Sequence, residues 1–155
     1  MKLNVGSKAP DFTAPDQTGA VRSLKDYRGK WILLYFYPKD MTPGCTIEAC
    51  TLRDEFAGFR RRGIVILGVS TDTAASHDKF TKKYQLPFTL LSDPNKTVVK
   101  AYGVWGIKKF MGRTFQGTRR MSFLINPDGE IAKMYDTVKP AEHASQVLKD
   151  HAALT

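Results

Sequence analysis

The sequence predicts an α/β fold with a parallel sheet at its centre, and three neighbouring segments carry that prediction. Two continuous apolar runs, 31–37 (WILLYFY) and 64–70 (IVILGVS), are rich in aromatic and β-branched residues. Such runs are typical of strands that are covered on both faces. Between them, 43–62 has the pattern of a helix. A strand, a helix and a second strand form a βαβ unit, whose strands pair in parallel.

Further elements are predicted on both sides of this unit. Residues 12–24 (FTAPDQTGAVRSL) have short runs around a DQTG turn, which predicts a hairpin. After the unit, a capping signal at Asp72 and Thr73 predicts a helix that ends at Tyr84. A short strand is then expected over 88–93. It is followed by a short helix that ends at Gly103.

The last third of the chain predicts a long connection, a hairpin and a helix. Residues 103–119 contain glycines, aromatic residues and positive charges without a clear period, so we expect a loop, which at this length is often functional. Residues 119–136 predict two antiparallel strands joined by an NPDG turn. Residues 140–154 have helical periodicity. This order is a thioredoxin-like layout with an N-terminal β-hairpin and a central insertion.

Length and cysteine content limit the class of protein. The chain has 155 residues, which suits one globular domain over 1–155. Its two cysteines are too few for a disulfide-rich secreted scaffold, and its longest apolar run is too short to cross a bilayer. The first residues lack the apolar stretch of a secretory signal. We therefore expect a cytoplasmic protein with no membrane segment, in a compartment where its cysteines are reactive thiols.

The charge of the chain is basic and unevenly distributed. Its 24 lysines and arginines outnumber its 15 acidic residues, and seven basic residues but no acidic ones lie between Pro94 and Pro127. Such a segment could contact nucleic acid or an acidic protein. No recognised nucleic-acid motif accompanies it, so we favour a solvated basic face.

The helix that contains both cysteines is the most informative segment. Thr42 is a good N-cap and Pro43 suits the first helical position, which places Cys45 in the first turn. Unpaired backbone N–H groups and the helix dipole favour a thiolate there. The preceding strand ends just before this turn. Cys45 is therefore expected at the carboxyl edge of the sheet, where open α/β folds place their sites.

Helical geometry separates the two thiols. At 100° per residue, Cys45 lies in the middle of an apolar face, and Cys50 lies about 140° away among polar residues. The other members of the apolar face are Ala49, Leu52, Phe56 and Phe59. Residues five apart in a helix have Cα atoms roughly 8.7 Å apart, beyond the ~7 Å limit for a disulfide. A bond between these cysteines would therefore require partial unwinding of the helix.

Two other interpretations of the cysteines remain open at this point. They could be small buried residues that never react, which is the better interpretation of Cys50 taken alone. A zinc site is disfavoured because His77, His143 and His151 are distant in sequence and poorly spaced. A CxxC motif is absent, which argues against a disulfide oxidoreductase of this fold.

Several motifs together resemble those of the peroxiredoxin family. Pro38, Thr42 and Cys45 match its P-x-x-x-T-x-x-C motif, and TPGCTIEAC resembles the bacterioferritin comigratory protein and peroxiredoxin Q subgroup. The segments GSKAPDF, GVWGIKKFMG and R-x-S-F at Arg120–Phe123 also fit. The resemblance extends over nearly the whole chain.

This resemblance implies a peroxiredoxin-type fold and a thiol-dependent peroxidase that reduces hydrogen peroxide and organic hydroperoxides. It also implies that Cys45 is the peroxidatic cysteine and that Cys50 is the resolving cysteine, which joins Cys45 in an intramolecular disulfide. By the same resemblance, the peroxide pocket is lined by Pro38, Thr42 and Arg120. Thioredoxin or a similar dithiol is the implied electron donor, with no cofactor and no metal. We expect a monomer or weak dimer.

Physical chemistry supplies a reason for each role and a simpler alternative. Thr42 offers a hydroxyl, Arg120 a permanent cation, and Pro38 a shield without a competing N–H. Alternatively, they are only a helix cap, a surface ion-pair partner and a strand terminator. Arg119 points to the opposite strand face, and the R-x-S-F match selects Arg120. Glu48 either holds that arginine or is a solvated helix residue.

Two other functional classes remain as alternatives to the enzyme. One is a thioredoxin-like binding module with incidental thiols, and the other is a basic DNA-associating protein. The aromatic residues of 103–119 have three interpretations as well. They cover the pocket, contact the reductase or are ordinary packing residues.

Overall fold

The computed structural model describes residues 2–155, and their regular elements follow the predicted order closely. The strands are β1 (Thr13–Pro15), β2 (Val21–Ser23), β3 (Trp31–Phe36), β4 (Ile64–Ser70), β5 (Thr89–Ser92), β6 (Trp105–Phe110), β7 (Arg113–Thr118), β8 (Met121–Ile125) and β9 (Ile131–Tyr135). The helices are α1 (Pro43–Asp54), α2 (Phe56–Arg61), α3 (Ala74–Tyr84), α4 (Thr97–Ala101) and α5 (His143–Leu154). A 3₁₀ turn spans Leu24–Tyr27.

The central sheet has five strands in the order β5-β4-β3-β8-β9. β3 pairs in parallel with β4, and β4 with β5, as the βαβ pattern predicts. β8 runs antiparallel to β3, and its first residue, Met121, lies opposite Phe36, the last residue of β3. The chain just before β8 therefore lies at the same edge of the sheet as the start of α1.

Alternate residues of β3 pack into two separate core layers. Leu33, Tyr35 and Tyr37 face the layer that contains the buried residues of α1, α2 and α5. Ile32, Leu34 and Phe36 face the other layer, against α4 and the N-terminal segment. Because both faces are covered, the strand is apolar along its whole length, which explains the continuous run in the sequence.

Two predicted elements differ from the structure. The helix expected over 43–62 is two helices, separated at Glu55, whose ψ of 6° leaves the helical range. The prediction of a loop over 103–119 is wrong, because this segment contains the antiparallel ribbon of β6 and β7. Apart from Trp105, the large side chains of this ribbon are mostly exposed, so no buried face imposes a period of two on its sequence.

In the part of the chain that the structure describes, no helix is long and apolar enough to span a membrane.

Candidate active site

Cys45 lies in the first turn of α1, at the carboxyl edge of the central sheet. Thr42 is the N-cap residue with an extended backbone, Pro43 is the first helical residue, and the Thr42 carbonyl accepts the first helical hydrogen bond from Thr46. Cys45 is almost completely buried, with 1% of its surface exposed. The thiol thus combines burial with the unpaired N–H groups of a helix start, which favour negative charge.

Arg120 contacts both Cys45 and Glu48. Its Nη2 donates to Cys45 Sγ at 3.3 Å, and its Nη1 donates to Glu48 Oε1 at 2.7 Å. Glu48 lies one turn after Cys45 and is completely buried, whereas a fifth of the Arg120 side chain is exposed. One guanidinium therefore serves two acidic groups on the same face of α1.

Burial and the charge of Arg120 have opposite effects on the pKa of Glu48. Burial raises the pKa of Glu48 to about 7, although the charge of Arg120 and its hydrogen bond oppose that rise. Within the described residues, Glu48 Oε2 has no hydrogen-bond partner, so only one of its oxygens is compensated. For Arg120, burial lowers the pKa, but Cys45 and Glu48 outweigh it and the pKa is raised.

Gly44 provides the space in which Arg120 reaches the thiol. A Cβ atom at Gly44 would lie 3.0 Å from Arg120 Nη2, closer than nearly all real Cβ contacts. With any other residue here, the guanidinium would have to shift by a few tenths of an ångström. The signals at Thr42 and Pro43 predict the helix start but not this contact of Gly44 with Arg120, because Gly44 has no left-handed backbone conformation that would mark a turn.

Thr42 and Pro38 lie in the motif loop, residues 38–42, which joins β3 to α1. Thr42 is the N-cap by position, but its hydroxyl does not cap the helix; Oγ1 donates to the Lys39 carbonyl at 2.7 Å. Pro38 is half-buried and follows Tyr37, the last residue whose N–H bonds to the neighbouring strand, at Val69. Both residues are thus close in sequence to Cys45 on a short loop.

The motif loop is fastened to α3 by a buried polar cluster that sequence reasoning missed. Asp40 and His77 are buried, and His77 Nδ1 lies 2.7 Å from Asp40 Oδ2. Tyr37 Oη also donates to Asp40, at 2.6 Å. Asp40 and His77 are far apart in sequence, so only an expectation about the packing of α3 on this loop could have connected them.

The second cysteine lies on a different side of α1. Cys50 is half-buried, and both thiols are free. Both cysteines lie in one uninterrupted helix, as the sequence predicts. Among the residues described, the one cluster with metal-ligand geometry is Asp40, Asp72 and His77, which contains neither cysteine.

The neighbouring arginine and the β6–β7 ribbon occupy other positions. Arg119 donates to the Gly103 carbonyl at 2.8 Å, so of the two adjacent arginines it is Arg120 that contacts Cys45. Trp105 is half-buried, whereas Phe110 and Met111 at the tip of the ribbon are exposed. The basic segment therefore contributes one residue to the thiol contact and otherwise faces solvent in large part.

A cavity away from Cys45 lies near the N-terminal segment and the end of β8. It has a volume of about 650 Å³ and is lined by residues such as Leu24, Ile32 and Ile125, with no residue of α1. A peroxide is small, so the Cys45 site needs no cavity of that size.

The sequence is similar to a known protein family and to two bacterial proteins of that family. The chain matches the AhpC/TSA family over residues 5–134. It is 46% identical over 153 residues to peroxiredoxin Bcp of Escherichia coli (strain K12), covering 97% of this chain and 98% of that protein. It is 44% identical over 149 residues to peroxiredoxin Bcp of Bacillus subtilis (strain 168), with 96% and 95% covered.

Solved structures show the same relationship. A cysteine-to-serine mutant of Xylella fastidiosa PrxQ matches with a TM-score of 0.93 and 32% identity, covering 99% of this chain and 98% of that one. The bacterioferritin comigratory protein of Xanthomonas campestris, studied for its alkyl peroxide reduction activity, matches with a TM-score of 0.89 and 34% identity, with 98% and 97% covered. The chain therefore belongs to the AhpC/TSA family and is a peroxiredoxin of the Bcp and PrxQ type, a thiol-dependent peroxidase with a thioredoxin-like fold.

Proposed function

We propose that this peroxidase reduces hydrogen peroxide and organic hydroperoxides at Cys45, with Cys50 as the resolving cysteine and Pro38, Thr42 and Arg120 around the peroxide. The observation that carries this proposal is the contact between Arg120 Nη2 and Cys45 Sγ at the start of α1. A buried thiol beside a fixed cation and free helix N–H groups is suited to react as a thiolate.

The first step is attack of the Cys45 thiolate on one peroxide oxygen. The S–O bond forms, the O–O bond breaks, and the second oxygen leaves as hydroxide or alkoxide and takes up a proton. Sulfur is oxidised by two electrons and the peroxide is reduced by two. Negative charge moves along the S–O–O line, where Arg120 and the helix N–H groups are fixed donors.

Thr42 is oriented to act as an acceptor in this step. Its only hydrogen is donated to the Lys39 carbonyl, so its oxygen lone pairs remain available. They can accept a hydrogen bond from the O–H of a hydroperoxide. Pro38 has no N–H that could compete for the peroxide oxygens. The two residues thus orient a neutral peroxide beside an anionic sulfur.

The second step converts the Cys45 sulfenic acid into a disulfide. The Cys50 thiolate attacks the oxidised sulfur, the S–S bond forms, the S–O bond breaks, and hydroxide leaves and takes up a proton to become water. Cys50 lies on another side of α1, so the helix must unwind before the sulfurs meet. This capture competes with further oxidation of the sulfenic acid to irreversible products.

We further propose that thioredoxin or a similar dithiol reduces the disulfide. Two electrons from the dithiol break the S–S bond and restore both thiols, so the cycle needs no cofactor and no metal. A compartment that keeps dithiols reduced suits this cycle, which supports a cytoplasmic location. We also propose a monomer or weak dimer. The family match favours this enzyme over a binding module or a DNA-associating protein.

Two measurements test the proposed function. The first is the intact mass of the protein after one equivalent of peroxide, and the second is the consumption of peroxide in the presence of thioredoxin and its reductase. We expect a monomer that has lost two hydrogen atoms, and turnover that depends on thioredoxin. A disulfide between two chains, or no reaction at Cys45, would contradict the proposal.

Replacement of Arg120 by methionine should slow the first step by about 10²-fold, because a fixed charge-stabilising donor is lost. Stopped-flow kinetics of the peroxide reaction measures this effect. Arg119→Met is the matched control and should leave the rate unchanged. Equal rates in the two variants would remove Arg120 from the peroxide site.

Glu48 should make stability depend on pH in a defined direction. Its pKa is about 7 in the folded protein, against 4.5 as the ordinary value, so only the folded state holds this proton between those values. Its contribution to stability is present below pH 4.5 and is lost as the pH rises through 7. The free energy of unfolding in urea should therefore rise for Glu48→Gln relative to wild type from pH 5 to pH 8, by on the order of 1–3 kcal/mol. A difference that stays constant with pH would contradict the assignment.

Oxidation should loosen α1, since an intact helix keeps the two cysteines too far apart. Amide hydrogen exchange within 43–56 should be faster in the disulfide form than in the reduced form, while α5 keeps its protection. Cys50→Ser treated with the same peroxide is the control and should keep a protected α1. Equal protection of α1 in the oxidised and reduced wild type would mean that the bond forms elsewhere.

Replacement of Cys50 by serine should separate peroxide reduction from recycling. The first turnover should remain within about twofold of wild type, because Cys50 is not on the Cys45 face of the helix. Steady-state turnover with thioredoxin should be lost, and excess peroxide should drive Cys45 to sulfinic acid. Mass spectrometry and coupled kinetics measure these outcomes. Full thioredoxin turnover in the variant would show that the enzyme works with one cysteine.

A further inference from the structure

We propose that Asp40 is a positioning residue of the peroxidase, which acts through the Thr42 hydroxyl rather than by contact with the peroxide. Asp40 belongs to the motif loop, and its buried contacts fix the peptide unit to which Thr42 is hydrogen-bonded. This inference rests on the proposed role of Thr42 and Cys45.

The Asp40 carboxylate is held at both oxygens. Oδ1 accepts from Tyr37 Oη at 2.6 Å, and Oδ2 accepts from Ser76 Oγ at 2.8 Å and faces His77 Nδ1 at 2.7 Å. Only 5% of Asp40 and none of His77 is exposed. A carboxylate with three partners in a buried setting has one stable position, so the loop residue that bears it is fixed to α3.

His77 completes the cluster with a polar contact at each ring nitrogen. Its Nε2 lies 2.9 Å from the Leu91 carbonyl, and its Nδ1 lies 2.7 Å from Asp40 Oδ2. Burial raises the pKa of Asp40, but its contacts with His77, Tyr37 and Ser76 outweigh burial and the pKa is lowered. The cluster is thus a buried hydrogen-bonded network around an ionised carboxylate, and loss of one partner from such a network is costly.

The contacts continue from Asp40 to the pocket through one peptide unit. The Asp40 N–H donates to Asp72 Oδ2 at 2.9 Å. The carbonyl of the same peptide unit belongs to Lys39 and accepts the Thr42 hydroxyl at 2.7 Å. Because a peptide unit is planar, fixing its N–H also fixes the direction of its carbonyl. The direction of the Thr42 lone pairs therefore depends on how Asp40 is held, by Asp72 at its N–H and by the buried cluster at its carboxylate.

The backbone between these residues shows why such a clamp is needed. Met41 has a φ of 66°, a left-handed conformation that is uncommon for a residue with a side chain. It persists where the surrounding structure determines it. Asp40 on one side and the start of α1 on the other supply that constraint, so loss of the Asp40 contacts should let the loop relax away from the peroxide.

A double-mutant cycle of Asp40 and Thr42 tests this inference. In a Cys50→Ser background, which stops the reaction at the sulfenic acid, the first-turnover rate with hydrogen peroxide is measured for Asp40→Asn, Thr42→Val and both together. We expect Asp40→Asn to be about tenfold to hundredfold slower than the background protein. The double variant should be no more than about twofold slower than Thr42→Val alone.

The pH profile of that rate separates positioning from a change in the thiolate. The profile of Asp40→Asn should fall in height at every pH and keep its midpoint. Asp16→Asn is the matched control, because Asp16 is also a buried aspartate but lies in the N-terminal hairpin. It should keep the background rate, which shows that loss of a buried aspartate alone does not slow the reaction.

Three results would overturn the inference: an unchanged rate in Asp40→Asn, effects of Asp40→Asn and Thr42→Val that multiply, or a shifted midpoint. Thermal unfolding establishes that each variant is folded. If Asp40→Asn fails to fold, Ser76→Ala takes its place in the same cycle, because it removes one hydrogen bond to Asp40. Its loss of rate should be smaller, and it should add no further loss of rate when combined with Thr42→Val. A background protein that forms no sulfenic acid at Cys45 contradicts the proposed function instead.

Discussion

The structure of the site depends on one guanidinium that compensates negative charge in a buried place. Arg120 bonds to Cys45 and to Glu48, and neither acidic group has water to stabilise its ionised form. A buried anion without a partner is so unfavourable that it takes up a proton instead. The raised pKa of Glu48 shows the cost of burial, which the charge and the hydrogen bond of Arg120 offset only in part. When Glu48 is protonated, the charge of Arg120 is directed to the sulfur.

The topology of the sheet brings that cation to the thiol. β8 runs antiparallel to β3, so the residue before β8 lies at the edge where β3 ends and α1 begins. Cys45 and Arg120 are distant in sequence but meet because of this pairing. Gly44 then leaves room for the guanidinium. A shift of one residue in the β3–β8 register would turn Arg120 to the other face of the sheet, so the strand pairing is itself a condition for the chemistry.

Much of the fold follows from the sequence, because local signals determine its elements. The helix start at Thr42 and Pro43 and the buried strands 31–37 and 64–70 give clear patterns, and they already place Cys45. The β6–β7 ribbon gave no such signal because neither of its faces is buried along its length. The contacts of Asp40 with His77 join distant segments, and periodicity cannot reveal them. Motif resemblance pointed to Arg120, but only the packed structure shows Glu48 as its second partner.

The cycle proposed above sets opposing demands on the two sides of Thr42. In that proposal, α1 on the C-terminal side is ordered to stabilise the thiolate and unwinds for Cys50 to reach the oxidised sulfur. On its N-terminal side, Asp40 is tied to α3 by bonds that do not involve α1. The helix can therefore open while the motif loop stays in place. In the proposed cycle, α1 would then refold from an N-cap that has not moved, with the Thr42 hydroxyl already in its direction. A helix that opens beside a fixed loop would reconcile a precise peroxide site with the movement of a thiol that the proposed disulfide requires.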